Sequence, residues 1–233
     1  MQLIPASIRH IFFDLDHTLW DFETNSKNTL TELYWSYALE QHGITLPEFL
    51  EVFKKTNARL WAERRIGKSS KENIRTKRFN MVLAAFGVQD KRLAMSINEA
   101  YVKLGPQKSG LMPNAHMVLN VLKDASFNLH IISNGFKSSQ AIKIKSSNLE
   151  AFFTTITTSE DAQALKPDLK IYTYAMKVAG AKPSESIYVG DHYTLDYKPA
   201  EAAGMSSILY DPELRVDSAG GITVIRDLKE LLM

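Results

Sequence analysis

The 233-residue chain has no cysteine, no long apolar run and almost no net charge, and each absence excludes a class of protein. Without cysteine there is no disulfide framework, thiol nucleophile or thiolate metal site, as is typical of cytosolic proteins. No apolar stretch approaches the ~18 residues that span a bilayer, and the first ten residues lack the features of a secretion signal. The 28 Lys and Arg nearly balance the 26 Asp and Glu, so no overall field favours a nucleic acid polymer. We therefore expect a cytoplasmic protein with neither a membrane nor a nucleic acid polymer as partner.

One stretch near the N-terminus, IFFDLDHTLW at residues 11–20, combines a short apolar run with two closely spaced carboxylates. The run into Asp14 and Asp16 predicts a buried strand that ends at a polar site, and ligands in open α/β sheets bind beyond the carboxyl ends of strands. In an extended chain Leu15 would point away from both acids, leaving them on one side. Such close like charges need a cation or hydrogen-bond donors between them.

The apolar pattern divides the chain into a helical part and a part in which strands and helices alternate. Four segments within residues 21–105 repeat apolar residues at helical spacing and end near glycines, which predicts an all-helical insertion. After residue 105 the alternation is typical of a parallel sheet with helices on both faces. The first strand belongs to the same sheet, because alone it could bury neither face. We predict an α/β protein: a Rossmann-like core of residues 1–20 and 106–233 with an inserted helical domain of residues 21–105.

Three predicted strands end in polar clusters, and a lysine precedes a later helix. The clusters are Asp14, Asp16 and Thr18; Ser133 and Asn134; and Asp191 and Asp196; the lysine is Lys166. Carboxylate, hydroxyl, amide and ammonium groups at one sheet edge suit phosphate together with a hard cation such as Mg²⁺. Asp14 and Asp191 could be its carboxylate ligands, while Ser133 and Lys166 could hold phosphate oxygens. A carboxylate can also attack phosphorus directly while a neighbouring acid moves the proton.

The segments FFDLDHTLW, IISNG, LKPD and VGDHYTLD, in this order, resemble the four motifs of the haloacid dehalogenase-like (HAD) hydrolase superfamily. The resemblance implies that Asp14 is the nucleophile and that Asp16 is the general acid/base, whose backbone carbonyl also binds Mg²⁺. It also implies that Asp191 is the metal-binding acid, Ser133 the phosphate-binding hydroxyl and Lys166 the lysine that stabilises the transferring group. Dehalogenases of this superfamily lack an acid at the place of Asp16 and do not need Mg²⁺, so the chain resembles the phosphatases.

The remaining motif residues have two interpretations each. Thr18 matches a hydroxyl that orders the first loop, and we assign it to the substrate-binding set together with Ser133 and Asn134. Asn134 could instead belong to a turn. Asp196 matches the second acid of the last motif, and it could hold Lys166 or a loop amide instead of metal.

The helical insertion contains the segment RLWAERRIGK at residues 59–68, followed by Arg75, Lys77, Arg78 and Phe79. The insertion resembles the cap that closes over the active site in this superfamily, and this segment is similar to the cap of pyrimidine-nucleotide 5′-nucleotidases. Residues 48–80 hold ten Lys and Arg against four Asp and Glu, which suits an anionic substrate. Trp61, Arg64 and Arg78 are the predicted substrate contacts, and Trp61 or Phe79 could stack on a base or sugar. The alternative is that these rings belong to the core of the cap and the charges to a solvated face.

Together these features predict a phosphoric monoester phosphatase that uses Mg²⁺ and an aspartyl-phosphate intermediate. Its expected partner is a small phosphomonoester, most closely a pyrimidine nucleoside 5′-monophosphate, and the protein is expected to be a monomer or homodimer. The alternatives are a sugar-phosphate or phosphoglycolate phosphatase, a phosphomutase and an inactive phosphate-binding module.

Overall fold

The computed structural model describes residues 3–215 and 221–233. The chain divides into two compact units, Met1–Phe22 with Ser109–Met233, and Glu23–Lys108. Among the described residues, no helix combines the length and the apolar character that crossing a bilayer requires.

The larger unit is built on a parallel sheet, which confirms the predicted fold class. The strands in the described ranges are β1 (His10–Phe13), β2 (Asn128–Ser133), β3 (Phe153–Thr158), β4 (Ser186–Gly190), β5 (Ser206–Tyr210) and β6 (Val224–Ile225). They lie in the order β3-β2-β1-β4-β5-β6, and every neighbouring pair is parallel. The first strand is therefore central, and its carboxyl end lies between those of β2 and β4.

The central strands β1 and β4 are buried on both faces of the sheet, and their side chains alternate between the two faces. Ile11 and Phe13 of β1 pack into one apolar cluster, and Phe12 packs into another on the opposite face. The helices of this unit are α5 (Ala115–Asp124), α6 (Lys137–Ser146), α7 (Ser159–Ala162), α8 (Leu169–Ala179) and α9 (Lys198–Ala202). Residues of α5 belong to the first cluster and residues of α8 to the second, so helices cover both sides of the sheet.

The smaller unit is helical, as the spacing of its apolar residues predicts. Its helices are α1 (Phe22–Ser36, whose first residue belongs to the larger unit), α2 (Leu46–Arg65), α3 (Lys71–Ala84) and α4 (Lys91–Leu104). Side chains cap the starts of α3 and α4: Ser70 accepts the Asn73 N–H, and Asp90 accepts the N–H groups of the second and third residues of α4. Apolar side chains from all four helices form one cluster.

A pair of histidines, one of them fully buried, connects neighbouring strands of the sheet. His130 is fully buried, its Nε2 lies 3.0 Å from His10 Nδ1, and its Nδ1 lies 2.8 Å from Thr155 Oγ1. Its ring stacks on Phe12 at a centroid distance of 4.5 Å. Burial, followed by the charge of His10, lowers the pKa of His130 to about 4. His130 is therefore neutral in the folded protein at pH 7.

This pair is expected to make folding stability fall with acid. The unfolded chain protonates His130 near pH 6.5 and the folded protein only near pH 4, so in this interval the unfolded state binds more protons. The contribution of neutral His130 to the free energy of unfolding is fully present above about pH 6.5. It decreases by about 2 kcal/mol as the pH falls to 4.5, after allowance for solvent screening. Urea unfolding at a series of pH values between 4.5 and 7 measures how the free energy of unfolding depends on pH. His130→Gln should show a smaller pH slope, whereas the exposed control His116→Gln should keep it; equal slopes in all three proteins would contradict the assignment.

Candidate active site

A buried ammonium group connects two of the predicted acids at the carboxyl end of the central strand. Asp14 follows β1 directly, and its N–H donates to the Val189 carbonyl of β4 at 2.9 Å, which extends the sheet to this residue. Lys166 Nζ lies 2.7 Å from Asp14 Oδ1 and 2.6 Å from Asp196 Oδ1. It also donates to Tyr188 Oη at 3.0 Å. These three acceptors match the three hydrogens of the ammonium group.

Asn134 fixes the main chain of Lys166. Its Oδ1 accepts the Lys166 N–H at 2.7 Å, and its Nδ2 donates to the Lys166 carbonyl at 3.1 Å. The predicted contact between Asn134 and substrate stays a prediction, for which the second hydrogen of Nδ2 is the group that these two bonds leave over. Asn134 holds the lysine in place.

Asp196 is directed at protein partners through both of its carboxylate oxygens. Oδ1 accepts hydrogen bonds from Lys166 and from Tyr188 Oη, the latter at 2.9 Å. Oδ2 accepts the His192 N–H at 3.0 Å, across the π-helical turn Tyr193–Tyr197. The alternative in which Asp196 holds Lys166 and a loop amide is thus the one observed.

Three carboxylates nevertheless come close enough to share a cation. Asp14, Asp191 and Asp196 each offer an oxygen within 4.8 Å of the other two. Arg215 lies at the edge of this group, with Nη2 3.6 Å from Asp191 Oδ2. The predicted ligand set contained Asp16 instead of Asp196. The carboxylate of Asp16 is held by partners elsewhere, and the ligand role predicted for this residue, which concerns its backbone carbonyl, stays a prediction.

The electrostatics of this acidic cluster favour a cation. Burial raises the pKa of Asp14 well above its usual value, and the opposing effect of Lys166 does not reverse this. Burial, followed by the charge of Asp196, raises the pKa of Asp191 to about 6. Burial opposes the charged form of Lys166, but Asp14 and Asp196 more than offset it and raise the pKa of the lysine. The lysine stays charged, and the remaining negative charge of the cluster suits a hard divalent ion with oxygen ligands.

Ser133, at the end of β2, is arranged as a hydrogen-bond donor. Its Oγ accepts the Gly135 N–H at 3.1 Å and the Gln140 Nε2–H at 2.7 Å. A serine hydroxyl has two lone pairs and one hydrogen, so these two bonds leave the hydrogen for an outside acceptor. This geometry fits the predicted role of Ser133 in binding a phosphate oxygen.

Asp16 is held by two residues of α6 that sequence analysis missed. Lys143 Nζ lies 2.5 Å from Asp16 Oδ1, and Gln140 Nε2 donates to Asp16 Oδ2 at 2.9 Å. Burial would raise the pKa of Asp16, but Lys143 and then Gln140 lower it below its usual value. The available signal was the spacing of Gln140 and Lys143, which places them on one face of a helix that follows Ser133.

Thr18 lies inside the loop after β1 and is fully buried. Among the described residues its Oγ1 has no hydrogen-bond partner. Its assignment to the substrate-binding set stays a prediction, because other residues assigned to substrate, such as Ser133 and Lys166, are buried as well.

Of the side chains predicted to contact substrate in the helical unit, two are partly accessible and one is buried. Trp61 and Arg64 are half-buried, with the Arg64 guanidinium carbon 6.0 Å from the Trp61 ring centroid. Arg78 is buried, hydrogen-bonds Tyr101 and lies 5.1 Å from its ring centroid, so its assigned substrate contact is corrected to packing within the unit. Phe79 is fully buried among aromatic rings, and the idea that it stacks on a ligand is wrong.

A parallel sheet with β1 at its centre, a carboxylate cluster and a buried lysine at its carboxyl edge defines an α/β enzyme for small charged substrates. The chain belongs to the haloacid dehalogenase-like hydrolase family, whose model matches residues 11–210. It is therefore a hydrolase, as its four motifs predict, and the predicted family is confirmed.

Similar proteins agree with this membership. The chain is 28% identical over 206 residues to the pyrimidine 5′-nucleotidase PynA of Streptococcus pneumoniae, covering 88% of this chain and 84% of that protein. It is 27% identical over 237 residues to a glyceraldehyde 3-phosphate phosphatase of Methanothermobacter thermautotrophicus, covering 96% and 98% of the two chains. Among solved structures, the putative HAD-hydrolase YfnB of Bacillus subtilis, bound to magnesium, superposes with a TM-score of 0.84 at 25% identity over 96% of each chain.

Proposed function

We propose that this hydrolase cleaves phosphomonoesters with Mg²⁺ through an aspartyl-phosphate intermediate. The observation that carries the proposal is the buried Asp14 carboxylate, paired with Lys166 through one oxygen and grouped with Asp191. The free hydrogen of Ser133 supports it, because a phosphate needs donors for its oxygens. Relatives named as a nucleotidase and a phosphatase support it independently.

The chemistry assigns a different role to each of two aspartates. Since Lys166 pairs with Oδ1 of Asp14, we assign Oδ2 as the oxygen that attacks phosphorus; the bond to the ester oxygen breaks, and Asp16 protonates that oxygen. Water then attacks phosphorus, Asp16 takes its proton, and Asp14 leaves as a free carboxylate. The products are an alcohol and inorganic phosphate. Asp16 must carry a proton for the first step and be ionised for the second. Its lowered pKa favours the ionised form that accepts the proton of water, and this proton is the one that Asp16 donates in the next cycle.

The residues that would hold the ion are Asp14 and Asp191, with the backbone carbonyl of Asp16. When bound, Mg²⁺ supplies positive charge that offsets the charge of the phosphate and the carboxylates. We expect EDTA to lower phosphate release at least ~100-fold and Mg²⁺ to restore it. Mg²⁺ should also raise the Tm of the wild type and raise it less in Asp191→Asn, a readout that does not depend on turnover. An equal Tm shift in both proteins would remove Asp191 from the ligand set.

For the substrate we propose pyrimidine nucleoside 5′-monophosphates. The nucleotidase relative and the cationic stretch of residues 48–80 support this choice, and the half-buried Trp61 offers a ring that a base could contact. A second candidate is a triose or other sugar phosphate, because the glyceraldehyde 3-phosphate phosphatase relative aligns over almost the full length of both chains.

Phosphate release across a substrate panel separates these candidates. The panel contains UMP, dUMP, dTMP and CMP, the purine monophosphates, glyceraldehyde 3-phosphate, phosphoglycolate and hexose phosphates. We expect the highest kcat/KM for pyrimidine nucleotides, and Trp61→Ala should raise KM for them about tenfold while leaving triose phosphate unchanged. Preference for sugar phosphates would overturn the nucleotide assignment alone. No release from any compound would favour the inactive phosphate-binding module.

A further inference from the structure

Two buried side chains of α6 contact the candidate acid/base, and none of the four motifs contains them. Gln140 and Lys143 lie three residues apart, and both are buried although amide and ammonium groups are usually exposed. Each directs its nitrogen at Asp16. Burying an amide or an ammonium group is unfavourable unless its hydrogen bonds are made. The burial of Gln140 and Lys143 therefore indicates that their contacts with Asp16 have a function.

We propose that Gln140 and Lys143 are positioning residues of the reaction: they fix the carboxylate of Asp16, and Gln140 also aims the hydroxyl of Ser133. The inference rests on the proposed phosphomonoester hydrolysis. It concerns how the Asp16 carboxylate and the Ser133 hydroxyl are held in place, and the groups that react stay the same.

Lys143 is held rigidly enough to act in this way. Its Nζ lies 4.3 Å from the Trp20 ring centroid and 5.6 Å from that of Phe22, while pairing with Asp16 Oδ1. The rings attract the ammonium through their faces and exclude water from it. This differs from an exposed ion pair, whose two long side chains sample many geometries.

Gln140 couples the first two motifs through a single amide. Its Nε2 donates one hydrogen to Asp16 Oδ2 and the other to Ser133 Oγ. The amide orientation follows from these partners, because its oxygen could not face a carboxylate. A Cβ at Gly135 would lie 1.9 Å from Gln140 Nε2, so only glycine leaves room for the amide here.

The amide oxygen of Gln140 shows that this arrangement is not optimised for stability. Gln140 Oε1 is buried and, in the described part of the chain, has no hydrogen-bond partner. An unmade bond of this kind is unfavourable, and an apolar side chain of similar volume would avoid it. Gln140→Met removes this unmade bond together with the donors for Asp16 and Ser133, so the gain and the cost offset each other and we expect a Tm close to that of the wild type.

The test compares Gln140→Met, Lys143→Met and Lys143→Arg with Lys145→Met, a control at an exposed position of the same helix. The substrates are p-nitrophenyl phosphate, whose leaving group needs little protonation, and UMP, whose leaving oxygen needs a proton. Lys143→Met should release about one nitrophenolate per enzyme in a burst and then turn over ~10 to 100 times more slowly, because water attack still needs a positioned Asp16. Its KM should fall together with kcat, because breakdown of the aspartyl-phosphate limits turnover, so kcat/KM for this substrate should stay within about threefold of the wild type.

The other variants separate positioning from simple structural damage. Gln140→Met should lower kcat and raise KM, because Ser133 loses its alignment, while its Tm is kept. Lys143→Arg should recover part of the loss in kcat, and Lys145→Met should match the wild type. If both Met variants at positions 140 and 143 keep kcat and KM within twofold of active wild type, the inference is overturned. Absence of phosphate release by the wild type would overturn the proposed function, and this inference with it.

Discussion

Asp14→Asn is expected to lower phosphate release at least ~10³-fold and yet to unfold at the same temperature as the wild type or a higher one. The loss follows from the nucleophile, since an amide oxygen does not form the aspartyl-phosphate. The unchanged or higher unfolding temperature follows from electrostatics. Burial and the neighbouring acids raise the pKa of Asp14, so its charged form opposes folding at neutral pH. An uncharged amide of the same shape removes this penalty, and Lys166 keeps its partner Asp196.

Two measurements check this prediction, phosphate release with Mg²⁺ and thermal unfolding in EDTA, where no bound ion contributes. The matched control is Asp168→Asn, the same change at an exposed carboxylate that caps α8 by accepting the Lys170 N–H. An Asn caps a helix about as well as Asp, so the control should keep activity and Tm. Turnover by Asp14→Asn within tenfold of the wild type would exclude Asp14 as the nucleophile. A strong drop in Tm would show that its charge is stabilising.

The positions of the motif residues were predictable because they depend on local patterns. A short apolar run predicts a buried strand, and parallel strands bring their carboxyl ends to one edge of the sheet. Asp14, Ser133 and Asp191 follow three such strands, and the structure places each directly after or at the end of its strand. The sequence therefore predicted the sheet and which side of it carries the site.

The direction of the Asp16 side chain was not predictable from the same pattern. Period-two alternation holds only while the chain is extended, and His17 adopts a left-handed conformation with φ of 68°. The Trp20 N–H donates to the Leu15 carbonyl at 2.8 Å, which closes the loop. The carboxylate of Asp16 consequently faces α6, and the acidic cluster consists of Asp14, Asp191 and Asp196.

Buried polar partners were missed because burial of a charged residue is a tertiary effect. Lys143 and Lys145 look alike in sequence, but only Lys143 faces inward, towards Trp20 and Asp16. Tyr188 counts as an apolar strand residue, yet its hydroxyl contacts Lys166 and Asp196. A single sequence shows which residues can bond in this way, but not which of them the fold brings together.

Lys166→Met is expected to remove both activity and stability, in contrast to Asp14→Asn. Its ammonium is the partner shared by the buried Asp14 and Asp196, and removing one partner of a buried ion pair typically costs about 3 to 5 kcal/mol. Phosphate release should fall at least ~100-fold, because the lysine is also assigned to the phosphate oxygens.

The stability deficit of Lys166→Met should shrink between pH 8 and pH 5. The two carboxylates left without a cation bind protons more readily in the folded protein than in the unfolded chain, so acid stabilises this variant relative to the wild type. The double variant Lys166→Met/Asp196→Asn removes one of the two charges and should recover much of the free energy of unfolding but none of the activity. Urea unfolding in EDTA and phosphate release measure the two effects, with the exposed Lys170→Met of α8 as control. Full stability of Lys166→Met at pH 8 would show that the two acids do not depend on the lysine for their burial.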